Sequence, residues 1–291
     1  MPELIKKGCF FIGIAALLFA CAATLDKKGG VEQYSPRLGK IKQAERGYLF
    51  FNKGNSFSPD YDTIPILYKL IDSLAIYQGD IILGSAEMLR LTREKFFKGV
   101  GIKSLSTDLS ERLWPSGKVF FRVDISVTRW RATILEAIAE WESNTDLKFT
   151  EIQQGQGDYI DFVRGEGYAS SIGRQGGRQT LYIDADPEKG KIMHEIGHAV
   201  GLWHEHSRKD RDNFITVFRE NIEENHALDF DIQCCDVNTQ NTQYDYGSLM
   251  HYPKDAFAKT GNTIEPKQRV EIGQRERLSE TDKAGIKNLY K

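Results

Sequence analysis

Between His194 and Glu205 the chain carries three imidazoles and two carboxylates in twelve residues: His194-Glu195-Ile196-Gly197-His198-Ala199-Val200-Gly201-Leu202-Trp203-His204-Glu205. His194 and His198 are four apart, so on a helix both rings project from one face toward one point. Two imidazoles placed there can hold a divalent metal at about 2.0–2.1 Å each. Glu195 follows the first His and stands beside that face, where a carboxylate can take a proton from water held by the metal. Gly201 can adopt the left-handed turn that ends a helix and returns the chain, bringing in His204 as a third nitrogen. Three neutral imidazoles and one open position describe a catalytic zinc site rather than a closed structural one. An isolated H-E-x-x-H is a weak signal; the added Gly and third His at fixed offsets make it specific.

The elements that must position these groups are legible in outline. Val119-Phe120-Phe121-Arg122-Val123-Asp124 is a β-rich run, Tyr159 to Val163 alternates like a half-buried strand, and Thr180 to Asp184 is a third strand. Ile134, Leu135, Ile138 and Trp141 recur at helical spacing between Thr128 and Ser143 and read as core. A second helix is predicted to start after Asp186-Pro187 and to run through the His cluster to Gly201. Beyond Arg219 the sequence is irregular and turn-rich until Ser279 to Tyr290, which is helical in character.

The histidine stretch is the metzincin signature. With Glu205, His206 and Arg208-Lys209-Asp210-Arg211-Asp212-Asn213 following, and Ser248-Leu249-Met250-His251-Tyr252 matching the Met-turn, residues 104–291 resemble the astacin family of zinc peptidases. The resemblance implies an α+β fold with a two-lobed catalytic domain. Its N-lobe is a twisted, mostly parallel sheet with two long helices, and its C-lobe is irregular with a terminal helix. It also implies one Zn2+ on His194, His198 and His204, with Glu195 as base. Met250 becomes the floor beneath the metal and Tyr252 a displaceable fifth ligand; a phenol that swings off a metal can donate to a developing oxyanion. Glu205 would lock the freed N-terminus of the mature domain. Ile272-Gly273-Gln274-Arg275 resembles the tract lining the pocket just after the scissile bond, so Arg275 would favour an acidic residue there. Trp114-Pro115-Ser116-Gly117 resembles the start of the catalytic domain, and Ser171-Ile172-Gly173-Arg174 the stretch bordering the cleft. The resemblance also implies that the family's two disulfides have no counterpart here, since the matching positions look like Asp146, Tyr168, a shortened loop and the chain end at Lys291. His206, His226 and His251 read as structural.

Two segments precede this region. Lys6 and Lys7 followed by the apolar run Gly8–Ala20 read as an export signal (residues 1–20), too short for a membrane span of about 20 apolar residues. Leu18-Phe19-Ala20-Cys21 resembles the lipobox of bacterial lipoproteins, which would put a lipid on Cys21 and tether the protein to a membrane. Ordinary secretion with cleavage at Ala22 or Ala23 is the alternative. Residues 21–103 carry 13 Lys/Arg against 9 Asp/Glu, whereas residues 104–291 carry 24 against 31. The contrast is either chance composition or a basic pro-segment docking on an acidic domain. Tyr77-Gln78-Gly79-Asp80-Ile81 by itself is a Gly-Asp turn; it resembles the F-x-G-D motif of astacin pro-segments, which implies that Asp80 fills the open zinc position. Activation then needs a cut between Asp80 and Trp114, near Lys103-Ser104, Arg93 or Arg112, by a separate activating protease.

The chain of 291 residues has a formal charge of −2 and 27% charged residues. That balance argues against a nucleic-acid binder, which needs a basic face, and four Cys exclude a disulfide scaffold. The adjacent Cys234 and Cys235 could form a vicinal disulfide, bind metal adventitiously or stay as thiols; they lack the C-x-x-C spacing of a redox protein. The expected partners are protein or peptide substrates. A zinc-binding protein without catalysis is the rival reading, and the presence of both Glu195 and Tyr252 counts against it.

Overall fold

The computed structural model describes residues 41–52, 61–71, 73–90, 112–233 and 241–291. All four cysteines, the predicted leader, and the candidate cleavage points at Arg93 and Lys103-Ser104 lie outside the described residues. The described residues all fall within one compact unit. No helix among the described residues is long and apolar enough to cross a membrane.

The first four strands, β1 (Ile41–Asn52), β2 (Tyr61–Ile71), β3 (Leu74–Tyr77) and β4 (Ile81–Ser85), form an antiparallel sheet in sequence order. The β3–β4 connection is the turn Gln78-Gly79-Asp80, with Gln78 and Gly79 both at positive φ. Sequence reading found the Gly-Asp turn but not the strands around it.

The second sheet holds β5 (Lys118–Val123), β6 (Lys148–Glu151), β7 (Tyr159–Arg164) and β8 (Arg178–Ile183), in the order β6-β5-β7-β8 with every pairing parallel. The short β6 was not predicted; four residues are too few for periodicity to register. Along β5, Val119 and Phe121 face the core while Phe120 points outward at 41% exposure, the period-two pattern of a strand. Helix α1 (Arg131–Asn144), after a short 3-10 stretch from Ile125 to Trp130, presents Ile134, Ile138 and Trp141 to the core as predicted, together with Ala137. Leu135, also read as core, is instead 36% exposed, because it lies about 100° round the helix from Ile134, off the buried face. Helix α2 (Lys189–Ala199) is buried continuously from Ile192 to Ala199. It begins two residues after Pro187 and stops two residues short of Gly201.

The C-terminal half is built largely of 3-10 turns around one small antiparallel pair, β9 (Ile215–Val217) and β10 (Ile264–Pro266). It closes with α3 (Glu280–Leu289), capped reciprocally by Ser279 and Asp282, which satisfies two otherwise orphaned donors at the helix start. The main core lies between the parallel sheet, α1 and α2, and reaches Leu249 and Met250 on one side and Ile286 of α3 on the other. The architecture is the α+β arrangement expected from the sequence, with a parallel sheet, a buried metal-site helix and a terminal helix.

Candidate metal centre

Helix α2 is held by two indole donors, one near its middle and one at its C-terminal end. Trp141 Nε1 donates to Met193 O at 3.1 Å, and Trp114 Nε1 donates to Ala199 O at 2.8 Å. After the helix, Gly201 sits at φ +113°, a conformation that a side chain would strain. This bend returns the chain so that His204 faces His194 and His198. The Nε2 atoms of His194 and His198 each lie 3.2 Å from Nε2 of His204.

The outer nitrogens define the tautomers. His194 Nδ1 donates to Leu249 O at 3.0 Å and His198 Nδ1 donates to Leu202 O at 2.8 Å. Burial holds the His194 imidazole down to about 4 and that of His198 well below its ordinary value, so both rings are neutral near pH 7. With the proton on Nδ1, each Nε2 offers a lone pair to the same point. The carboxylate of Asp80 faces that point too. Its Oδ1 is 3.2 Å from His204 Nε2 and 3.7 Å from His198 Nε2, and its Oδ2 is 3.5 Å from His194 Nε2. Asp80 Oδ1 is buried and has no hydrogen-bond partner. Convergent acceptors with no donor among them are repulsive unless a cation lies between them. One ligand atom from each of Asp80, His194, His198 and His204 falls within 4.8 Å of the others. Three imidazole nitrogens and one carboxylate oxygen, four in all, are the donor set and number that zinc takes.

Asp80 is brought here by backbone pairing. Ser170 N donates to Asp80 O at 2.9 Å and Ile82 N to Ser170 O at 2.8 Å, a parallel bridge that joins β4 to the segment lying antiparallel to Tyr182 of β8. Gly79 is at φ +84°, and a Cβ there would stand 3.0 Å from the Tyr252 hydroxyl, so the position requires both the freedom and the small size of glycine. Tyr252 donates its hydroxyl proton to Gln78 O at 2.6 Å. Burial, followed by the charge of Asp80, raises the Tyr252 phenol well above its ordinary value and keeps it a donor. Gln78 also places its side-chain oxygen 3.4 Å from His204 Nδ1 and donates to Asp231 O at 3.2 Å.

Glu195 is buried beside the cluster with Oε2 unpartnered. Burial first, and the Asp80 charge second, push its carboxyl well above the usual range. Met250 is 2% exposed, and its carbonyl accepts from Glu205 N at 3.0 Å. Glu205 is itself buried, accepts from Asp245 N at 2.7 Å, and is pushed up by burial to about 8. Arg275 donates through one guanidinium nitrogen to Leu249 O at 2.8 Å and to His251 O at 2.9 Å. It borders a cleft of about 530 Å³ together with Asp80, Glu195, Tyr252, Pro253 and Phe257.

Two supports went unnoticed in the sequence. Asp282 of α3 accepts from Ser248 Oγ at 2.7 Å and from Leu249 N at 2.9 Å, holding the turn that carries Met250. Ser279-x-x-Asp282 is legible as a capping box, but its reach to residue 248 is not. His206, read as structural, stacks on Tyr252 with ring centroids 3.8 Å apart. Cys21, Cys234 and Cys235 lie outside the described residues.

Comparison with known proteins agrees with this geometry. The astacin peptidase family matches residues 106–291. Zinc metalloproteinase nas-36 of Brugia malayi is 44% identical over 220 residues, covering 72% of this chain and 38% of that protein. Tolloid-like protein 1 of Mus musculus is 37% identical over 198 residues, covering 64% of this chain and 19% of that protein. The chain therefore spans well under half the length of these curated relatives. Among solved structures, high choriolytic enzyme 1, a hatching-enzyme zinc protease from Oryzias latipes, superposes with a TM-score of 0.58 at 34% identity. That match covers 62% of this chain and 95% of the other.

Proposed function

The chain belongs to the astacin family of peptidases, and from that premise we propose that it is a zinc metalloendopeptidase made as a zymogen, silenced by Asp80 and activated by proteolysis. The observation that carries this reading is the Asp80 carboxylate set against all three histidines, 3.2 to 3.7 Å from their Nε2 atoms.

His194, His198 and His204 hold the zinc. Bound there, the metal would supply Lewis-acid chemistry, polarising a peptide carbonyl and acidifying a water molecule. Glu195 supplies the base: it is buried, has one oxygen free, and its raised proton affinity suits it to take a proton from water and pass it to the leaving amine. Tyr252 donates to a backbone carbonyl in the latent form, and the same hydroxyl is placed to donate to the carbonyl oxygen of a bound peptide as charge builds on it. Asp80 keeps substrate and water from the histidines while the β4–Ser170 bridge closes the edge along which a peptide would pair.

In this reading residues 1–20 direct export, residues 21–103 are the pro-segment and residues 104–291 the peptidase domain. A cut near Lys103-Ser104, Arg93 or Arg112 frees the domain, and Glu205 then binds the new N-terminus. With a lipid on Cys21 the zymogen would be tethered outside the cytoplasm and the same cut would release the active domain. Arg275, at the cleft wall, would favour an acidic residue just after the scissile bond. Protein and peptide substrates are the partners. Treating the zymogen with a trypsin-like protease tests the scheme: peptidase activity sensitive to a zinc chelator should appear together with a shortened chain. A fully shortened chain that stays inert with zinc supplied would refute it.

A further inference from the structure

The N-terminal sheet meets the peptidase region at a second buried point. Lys69, on β2, is 4% exposed, and its Nζ lies 2.6 Å from Asp229 Oδ2, which belongs to a residue 2% exposed. His226 Nδ1 donates to the same oxygen at 2.7 Å and stands 3.1 Å from the Lys69 ammonium. Asp229 thus shares one carboxylate oxygen between an imidazole of its own region and a cation from the segment ahead of it.

This pair adjoins the reaction centre. Asp229 O accepts from His206 Nε2 at 2.9 Å, and His206 stacks on Tyr252. The His226 ring lies flat on Phe257, centroids 3.8 Å and planes 9° apart. Phe257 borders the same cleft as Asp80 and Tyr252, and it adopts φ +48°, a left-handed conformation that costs an aromatic residue free energy. The Lys69 contact is therefore one residue removed from the cleft wall: it reaches His226, which stacks on Phe257.

We propose that Asp229, oriented by His226, is a subsite for the Lys or Arg side chain of a substrate, and that Lys69 fills it in the latent chain. The inference rests on the peptidase reading above. The same segment crosses the reaction centre, with the Gln78 carbonyl on the Tyr252 hydroxyl and a parallel β-bridge from Ile81 to Ser170. When it leaves, the Lys69 ammonium leaves with it. Asp229 then keeps His226 and regains acceptor capacity for a charge-assisted hydrogen bond from another cation.

The test uses the full chain after activating cleavage and removal of the N-terminal fragment. Quenched-fluorescent octapeptides with a fixed scissile bond carry a single Lys walked through the flanking positions, each paired with a norleucine control. At one position Lys should raise kcat/KM roughly tenfold over norleucine, and Asp229→Asn should bring that ratio to about one. The ratio is taken within each preparation, so loss of folded enzyme cancels. Lys-to-norleucine ratios near one at every position, or a preference that Asp229→Asn leaves intact, would overturn the subsite. Wild-type protein that cleaves the norleucine peptides without preferring Lys overturns the subsite alone; a preparation that cleaves nothing overturns the peptidase reading as well.

Discussion

Replacing Asp80 with Ala separates blockade of the metal from docking of the segment that carries it. The carboxylate is one of four groups facing the cation site, and removing one partner from a buried ionic set costs about 3–5 kcal/mol. At about 1.4 kcal/mol per decade, the ratio of closed to open sites should fall by about 10²–10⁴. The rest of the segment remains bound, because Tyr68, Ala75, Tyr77, Ile81, Leu83 and Leu89 pack as one buried cluster with Ile172 and Trp203. Each large side chain in such a cluster contributes about 1.5–3 kcal/mol. The Asp80→Ala zymogen should therefore hydrolyse a short quenched-fluorescent peptide far faster than the wild-type zymogen, yet stay below the cleaved enzyme because the β4–Ser170 bridge persists. Asp80→Asn, which keeps the shape but not the charge, should fall between the two. The reasoning is refuted if the Asp80→Ala zymogen, shown to contain zinc, is as silent as wild type, or if it equals the cleaved enzyme.

Glu195→Ala should keep the three histidines and their metal while lowering kcat about 10²–10⁴-fold; near-normal turnover would remove Glu195 from the mechanism. Tyr252→Phe should lower kcat of the activated enzyme about 10²-fold with little change in KM, the size expected for one donor to a developing oxyanion, and steady-state kinetics on one peptide would show it. Asp282→Ala strands Ser248 Oγ, Leu249 N and Ser279 N, so the zymogen should lose about 2–4 kcal/mol, read from the midpoint and slope of urea unfolding. An unchanged midpoint would show that Asp282 does not hold the Met250 turn.

What was legible in the sequence follows the range of the interactions. His194, Glu195 and His198 are fixed by helix geometry, and His204 by one glycine bend, so spacing alone brought them together. Asp80 lies more than a hundred residues away. Only its likeness to a family motif tied it to the histidines, since a Gly-Asp turn carries no record of its partner. Lys69 and Asp229 left no trace at all: a lone Lys in a strand and a lone Asp in an irregular stretch read as solvated charges until the fold buries them together. The same holds for Asp282, whose capping role is local and readable and whose grip on Ser248 and Leu249 is not. β6 escaped because its four residues alternate between exposed and half-buried with no fully buried position.

Zinc-edge X-ray absorption on the purified zymogen addresses the arrangement on which everything else depends. One zinc per chain with three imidazole nitrogens and one carboxylate oxygen at about 2.0–2.2 Å, the oxygen changing character in Asp80→Ala, is the expected spectrum. Fewer than three imidazoles, or a sulfur neighbour, would contradict the account.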